Sequence, residues 1–254
     1  MRLIVNTTQF RQALAACLPH SAGPKAGVME ALRVQVTPER LWVMATSGGT
    51  SCMAVATIYE EAEGLTGDPS EDAFHLSPAN AKAILAVFTQ ADELDETQLD
   101  IIRTQTDNGH ELKIRDVGGL LEGSELTLTG CEPDATFPNV PGAVMPATLG
   151  DTPLPVWTDI DGSALARFVR TAKAYGGGLT ITQNTRTGSS YHIAVGALCR
   201  GLITIKRYDD GDDGDTPDFA AFDQQWEDQT GALADAMRRA QLDRWNHTTS
   251  ENTP

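Results

Sequence analysis

The sequence predicts an α+β fold made from a repeated strand–helix–strands unit and followed by an acidic, helical C-terminal tail. Two observations support this class. Apolar residues alternate in some stretches and follow a helical period in others, and the order strand, helix, several strands occurs three times. The repeat length of about 70 to 80 residues exceeds that of solenoid repeats, which indicates small units that pair edge to edge.

Composition places the chain among soluble globular proteins. Its 254 residues are 41% hydrophobic and 21% charged, with a formal net charge of −16. No apolar run is long enough for a membrane span or a secretory signal, so we expect a cytoplasmic protein. The cysteines are far apart and form no CxxC pair, so we expect reduced core thiols, with no metal and no cofactor. These cysteines are Cys17, Cys52, Cys131 and Cys199.

The first unit is predicted over residues 1–60. A short strand precedes a helix that Thr7 or Thr8 can cap and that continues to about Leu18, where Pro19 stops it. Two strands around a Thr-Pro-Glu turn and one further strand complete the unit, because their apolar residues alternate.

The second unit is predicted over residues 73–140, after an acidic, turn-rich linker at 61–72. Ser77 and Pro78 form a helix start, with serine as the N-cap and proline at the first helical position. Three strands follow the helix, and an Asp-Asn-Gly sequence at 107–109 is typical of a hairpin turn.

A proline-rich crossover at 141–155 separates the second unit from a third unit at 156–208. This third unit begins with a short strand, continues with a helix from Asp161 to about Tyr175, and ends with three strands. Residues 209–254 are predicted to be an acidic linker and a C-terminal helix.

Each predicted helix of the three units lies in a window without Asp or Glu. These windows are residues 1–29, 73–91 and 162–208, and the last of them carries seven basic residues. In a chain with net charge −16, this pattern favours contact with a polyanion. The basic residues of the three helices are Arg11, Lys82, Arg167, Arg170 and Lys173.

The third helix has the clearest division into two faces. Helical spacing predicts a buried stripe formed by Leu165, Phe168, Val169 and Ala172. Its three basic residues fall on the opposite side, at steps of three. Arg11 and Lys82, taken singly, are more typical of ordinary solvated helix positions than of a binding site, so the third helix is the stronger candidate for binding.

The segment DATFPNV at 134–140 resembles the sequence that closes a domain of bacterial DNA polymerase III beta clamps. Residues 1–58 resemble the opening of such a clamp, in which a helix is followed by a Gly- and Pro-containing loop with one basic residue, here Lys25. Residues 156–207 resemble a single half-domain of a clamp. The resemblance covers about residues 1–207, and its best motif is FPNV.

This resemblance implies the DNA-clamp fold and a closed ring around duplex DNA. The helices would line the hole, so that Arg11, Lys25, Lys82, Arg167, Arg170 and Lys173 contact phosphates without reading sequence. A DNA polymerase, together with a clamp loader, would bind through short peptide motifs, in a pocket that residues 140–155 would border. Rings of this family have twelve inner helices. With three units per chain, the ring is either a homotetramer, or a homotrimer completed by the terminal helix, or of a different construction.

Two other classes of function compete with a ring. One is a clamp-fold interaction module or decoy that binds replication proteins without encircling DNA, and the low basic count and acidic tail motivate it. The other is an enzyme, which the sequence does not favour, because no catalytic constellation appears in it. A minimal clamp of this kind would suit a phage.

Overall fold

The structure is a computed structural model that describes residues 1–89, 97–107, 109–117, 123–132, 136–144, 160–183 and 190–204. The chain divides into two units, Met1–Lys206 and Arg207–Pro254, and the described residues all belong to the first. The predicted C-terminal helix and the predicted strand before Asp161 therefore fall outside the described residues, apart from the end of that strand.

Eleven strands and four α-helices make up the described part. The strands are β1 (Arg2–Asn6), β2 (Leu32–Val36), β3 (Arg40–Thr46), β4 (Thr50–Glu63), β5 (Ala73–Leu76), β6 (Gln98–Thr106), β7 (Gly109–Asp116), β8 (Glu125–Thr129), β9 (Thr180–Gln183), β10 (Ser190–Val195) and β11 (Cys199–Thr204). The helices are α1 (Thr7–Cys17), α2 (Pro78–Val87), α3 (Val140–Val144) and α4 (Gly162–Ala174). Two short 3₁₀ turns, Leu18–His20 and Gly27–Glu30, follow α1.

Local sequence signals set the helix ends. The Ser77 side chain accepts from the Asn80 amide at the start of α2, and Asp161 accepts from two amides at the start of α4, as predicted. At α1 the N-cap is Asn6, one residue before the predicted cap, because its side chain accepts from the Gln9 amide. The α4 helix ends at a glycine, Gly176, with a φ of 62°.

The first strand of each of the first two units pairs with a strand of the other unit. β1 of the first unit pairs antiparallel with β6 of the second, and β5 of the second unit pairs antiparallel with β2 of the first. The two units therefore share one continuous sheet, in which β1 lies between β4 of its own unit and β6 of the second unit.

The fourteen-residue strand β4 joins all parts of the sheet. β3 pairs with one of its edges, while β11 and then β1 pair along the other. The third unit therefore extends the sheet of the first unit through β11, with β10 and β9 following outward.

Alternate residues of the sheet face two separate apolar layers. Leu41 and Val43 of β3 lie in one core together with the buried faces of α1, α2 and α4. Met44 of β3 faces the other way, into a smaller cluster with Phe137 and Val140 at α3. Three helices therefore cover one face of the sheet, and α3 covers part of the opposite face.

Three features differ from the sequence-based expectations. β4 continues to Glu63, into the segment predicted as a linker, because its distal half pairs with β1. The crossover begins as the short helix α3. Its prolines predicted that this segment is not a central strand, but they did not indicate a helix. Val169, predicted to be buried in α4, is 55% exposed, since the buried face follows Ala164, Phe168 and Thr171 instead.

None of the described helices combines the length and the apolar character that crossing a bilayer requires.

Candidate nucleic-acid interface and outer groove

The helices α2, α1 and α4 lie side by side, with α1 in the middle and in contact with both others. Their buried residues share one core, so their opposite faces form one continuous side of the molecule, here called the helical wall. The three helices contain five basic residues and no acidic residue. Such a wall attracts anions although the chain as a whole is acidic.

Three of the five basic side chains are exposed on the helical wall. Lys82 on α2 and Arg170 and Lys173 on α4 are exposed. Within the described ranges none of the three makes an ion pair or a side-chain hydrogen bond. Their charges are therefore available to an external phosphate.

Arg11, the basic residue of α1, bridges two helices. Its Nη1 donates to the Leu85 carbonyl at 2.7 Å and to the Phe88 carbonyl at the end of α2. Partial burial lowers the pKa of this guanidinium. A cation at a helix C-terminus satisfies carbonyls that have no partner within the helix. Arg11 is therefore a brace between α1 and α2, which its sequence position did not reveal.

Arg167 is also held by the protein. Its Nη1 donates to the hydroxyls of Ser47 and Thr50, at 2.5 and 3.3 Å, in the turn between β3 and β4. The side chain is half-buried, and it ties α4 of the third unit to the first unit. The two faces predicted for α4 therefore need a correction, because Arg167 lies beside the buried face while Arg170 and Lys173 face outward.

The Arg167 contacts continue into a buried hydrogen-bond chain around His20. The Thr171 hydroxyl donates to the Ala16 carbonyl at 2.8 Å, so it accepts from His20 Nε2 at 3.0 Å. His20 Nδ1 is then an acceptor and receives the Thr50 hydroxyl at 3.1 Å. The imidazole ring also packs on Phe168 with centroids 4.3 Å apart.

This environment keeps His20 neutral. Burial, and after it the nearby charge of Arg167, lower its pKa to about 3. The residue joins three parts of the fold: the end of α1, β4 and α4. The sequence gives no sign of this role, because a histidine after a helix carries no pattern of its own.

Lys25, the predicted loop residue, is exposed and has a φ of 80°. A positive φ is uncommon for a residue with a Cβ, and Lys25 adopts it in a turn of the Gly- and Pro-containing loop. No hydrogen bond or ion pair of its side chain occurs among the described residues. Its ammonium group is therefore free to reach an anion.

The opposite face of the sheet carries an apolar groove beside α3. A hollow of about 500 Å³ has Trp42, Met44 and Met53 of the first unit in its wall, together with Pro141 of the crossover and Leu198 of the third unit. A second hollow of about 470 Å³ is lined in part by Phe137 and Asn139, and it shares Met44 and Pro141 with the first. The groove therefore depends on the joint between the first and third units.

The FPNV motif organises this outer face. Phe137 packs against His75 with ring centroids 5.3 Å apart, and Val140, the first residue of α3, is 1% exposed. The Asn139 side chain accepts from the Gly142 amide at 3.0 Å, which fixes the first turn of α3. The motif thus fastens the crossover to the sheet and forms one wall of the groove.

The cysteines are free and buried, as the sequence predicted. Cys52 Sγ lies 3.8 Å from Cys17 Sγ and 3.5 Å from Cys199 Sγ, within the core of the joint. Burial raises the pKa of Cys17, which keeps it a thiol. Within the part of the chain that the structure describes, no group of three His, Cys, Asp or Glu side chains is arranged to hold a metal ion.

This chain is similar to known proteins in structure but not in sequence. Neither a family model nor a curated protein matches the sequence. The fold is similar to the DNA polymerase III beta subunit of Thermotoga maritima, with a TM-score of 0.58 at 11% identity, covering 87% of this chain and 66% of that one. The chain thus spans about two thirds of that subunit's length.

Two further solved clamps are similar at a slightly lower TM-score. One is a sliding clamp from Bartonella birtlesii bound to griselimycin, with a TM-score of 0.54 at 11% identity, covering 87% of this chain and 67% of that one. The other is the C. crescentus beta sliding clamp with polyethylene glycol at a putative beta-motif tethering region, with the same four values. The chain therefore has the fold of DNA sliding clamps, as its sequence predicted.

Proposed function

We propose that this protein is a DNA sliding clamp, a replication processivity factor that encircles duplex DNA and tethers a DNA polymerase. The observation that carries the proposal is the helical wall: three adjacent helices with no carboxylate, in a chain of net charge −16. Lys82, Arg170, Lys173 and the loop residue Lys25 contact phosphates in this proposal, while Arg11 and Arg167 hold the wall together.

The ring would be a homo-oligomer with its helices inside. Phosphate contacts made by a few flexible cations carry no sequence information, so such a ring slides rather than stops at particular sites. With three helix-bearing units per chain, four copies supply the twelve helices of known rings, and three copies do so if the C-terminal segment supplies a fourth helix. We propose that a clamp loader acts on the ring, whether the ring is a tetramer or a trimer.

The test compares retention on circular and linear DNA. The protein is incubated with nicked plasmid in the presence of a clamp loader, separated by gel filtration, and the plasmid is then cut. We expect retention on the circle and loss after cutting, because a ring slides off free ends. Equal retention on both forms would favour the alternative of an interaction module that does not encircle DNA, and it would refute the ring.

The same assay separates the roles of the wall residues. Changing Arg170 and Lys173 together to Ala is expected to weaken retention and to reduce the salt slope by about two, at about 0.9 per phosphate contact. The matched control is Arg40→Ala, which removes an exposed arginine at the start of β3, outside the helical wall. An unchanged slope in the double variant would contradict phosphate contact by α4.

We further propose that the outer groove binds a short apolar peptide of the polymerase. Its methionines, Met44 and Met53, adapt to varied side chains, and the crossover residue Pro141 gives it a rigid wall. The similarity to a clamp that was solved with griselimycin supports this proposal and supplies a probe.

Griselimycin binding, measured by calorimetry, tests the groove. We expect saturable binding that Leu198→Glu abolishes, because Leu198 is a half-buried rim residue and a carboxylate there opposes an apolar ligand. Val117→Glu changes an exposed valine far along the other part of the sheet and should leave binding intact. No binding to the unaltered protein would refute a groove with this specificity.

A further inference from the structure

The outer groove contains a row of four side chains that crosses four neighbouring strands. Arg33 of β2 is paired with Met44 of β3, and Met44 is paired with Met53 of β4. Met53 is in turn paired with Arg200 of β11. Directly paired residues face the same side of a sheet, so the row has an arginine at each end of the two methionines. With strands about 4.8 Å apart, the row is about 15 Å long, which matches four or five residues of an extended peptide.

Arg33, at one end of this row, is held by the protein through two of its nitrogens. Its Nη2 donates to the Gln35 side chain at 3.0 Å and to the Pro69 carbonyl at 2.6 Å, and its Nε donates to Gln35 at 3.3 Å. This arginine lines the second hollow, where it ties β2 to the loop before β5. Its contacts therefore give it a structural role.

Arg200, at the other end of the row, lines the first hollow and is held differently. Its Nη1 donates to the Gly196 carbonyl at 2.7 Å and to the Cys199 carbonyl at 2.8 Å. These two bonds use both hydrogens of Nη1 and fix the plane of the guanidinium group. Among the described residues, no acceptor meets its Nε–H or Nη2–H groups, and no carboxylate forms an ion pair with it.

The unused side of Arg200 has the geometry that binds a carboxylate. The Nε–H and one Nη2–H of an arginine point in parallel directions and match the two oxygens of a carboxylate. Arg2 of this chain uses the same side, because its Nε donates to Asp100 Oδ1 at 2.9 Å and its Nη2 to Oδ2 at 3.3 Å. Arg200 offers this pair of donors beside Met53 and Leu198, where a lower dielectric strengthens such a contact.

We propose that Arg200 makes the outer groove selective for apolar peptides that carry an aspartate or glutamate side chain beside their apolar residues. The inference rests on the peptide-binding role proposed for the groove, to which it adds a charge requirement. In a chain of net charge −16, a cation at this position also reduces the repulsion that an acidic peptide would otherwise meet.

The turn beside Arg200 favours a side-chain carboxylate over the carboxylate at the end of a chain. Terminal carboxylates are captured by clusters of backbone amides. Here the backbone next to the guanidinium group presents the carbonyls of Gly196 and Cys199 instead. A side-chain carboxylate reaches the guanidinium group on its own stem, away from the peptide backbone.

Calorimetry with matched peptides tests this selectivity. The probes are blocked peptides of four Leu or Phe residues with a Glu at one end or the other, and the same peptides with Gln in its place. We expect the Glu peptide of the better-binding orientation to bind about tenfold more tightly than its Gln counterpart at low salt. The reason is that a charged hydrogen bond with two donors is replaced by a neutral contact.

Substitutions of Arg200 assign the preference to this residue. Arg200→Gln should lower the ratio of the two affinities to about one, because the paired donors are gone. Its affinity for the Gln peptide should stay unchanged, which also reports that the variant is folded. Arg200→Lys keeps the charge without the paired donors and should retain only about a threefold preference. The matched control, Arg40→Gln, removes an exposed arginine that lines neither hollow and should keep the full ratio.

Three results would overturn the selectivity proposed for Arg200. They are equal binding of the Glu and Gln peptides, a Glu preference that both Arg200 variants retain in full, and a larger gain from a free C-terminal carboxylate than from the Glu side chain. Binding of none of the peptides would refute the groove as well. Retention on circular DNA should be the same in Arg200→Gln as in the unaltered protein, so the ring and this selectivity can fail separately.

Discussion

Among single residues, the five cations of α1, α2 and α4 divide by whether the protein itself holds them. Arg11 and Arg167 donate to protein oxygens, whereas Lys82, Arg170 and Lys173 do not within the described residues. Sequence spacing placed all five on helices, but it could not separate a brace from a free charge. The partner atoms lie 74 and 120 residues away along the chain, so no local pattern contains them.

His20 gives the fold a specific dependence on pH. Its pKa of about 3 lies below the ordinary 6.5, so the unfolded chain takes up the proton first as the pH falls. Stability contributed by neutral His20 is therefore complete above pH 6.5 and is lost between pH 6.5 and about 3. Within that window we expect a loss of up to about 1.4 kcal/mol per pH unit from this residue.

Urea unfolding at several pH values measures this effect. The control is His20→Gln, which keeps polar atoms near Thr50 and Thr171 but cannot gain a proton. The difference in unfolding free energy between the two proteins should shrink as the pH falls from 6.5 toward 3. A difference that stays constant over this range would contradict the assignment of His20 as a buried neutral residue.

Among the elements, α4 packs so closely on β11 that no space remains for a side chain at Gly201. A Cβ at Gly201 would lie 2.2 Å from the Phe168 ring and 2.9 Å from the Ser51 carbonyl oxygen of β4. We expect Gly201→Ala to destabilise the fold by about 1–3 kcal/mol, because the ring and the strand must both shift. Thermal unfolding followed by circular dichroism measures the loss.

Gly49→Ala is the matched control for that substitution. Gly49 precedes β4, and a Cβ there meets no atom within 4 Å. Its unfolding temperature should stay close to that of the unaltered protein. Equal effects of the two substitutions would mean that the close packing of Phe168 on β11 does not limit stability.

The elements also show how far sequence patterns extend. Alternation and capping residues predicted the strands and the starts of α2 and α4, because those signals are local. The helix α3 was missed, since five residues give no period to recognise. β4 pairs with β11 through contacts between distant segments of the chain. This pairing also brings α1 and α4 together in the helical wall. The order of units along the chain does not reveal these contacts.

In the molecule as a whole, the helices that lack acidic residues are the ones that the sheet brings side by side. The net charge of −16 is kept off α1, α2 and α4, although these helices come from three separate stretches of sequence. The sheet brings them side by side and places the apolar groove on its other face. One side is thus suited to a polyanion and the other to an apolar partner. The sequence predicted the first of these sides, but the structure was needed to locate the second.

The pairing of β4 with β11 also has a consequence for how the protein is made. Cys52 and Cys199, in contact across this joint, are 147 residues apart. At the usual pace of synthesis, about 5–20 residues per second, the edge of β4 emerges roughly 7 to 30 s before its partner. A nascent chain therefore leaves the edge of β4 from Thr50 to Ala54 without its partner strand during that interval. We therefore expect translation speed and chaperone access, as well as the stability of the finished fold, to affect the yield of correctly assembled protein.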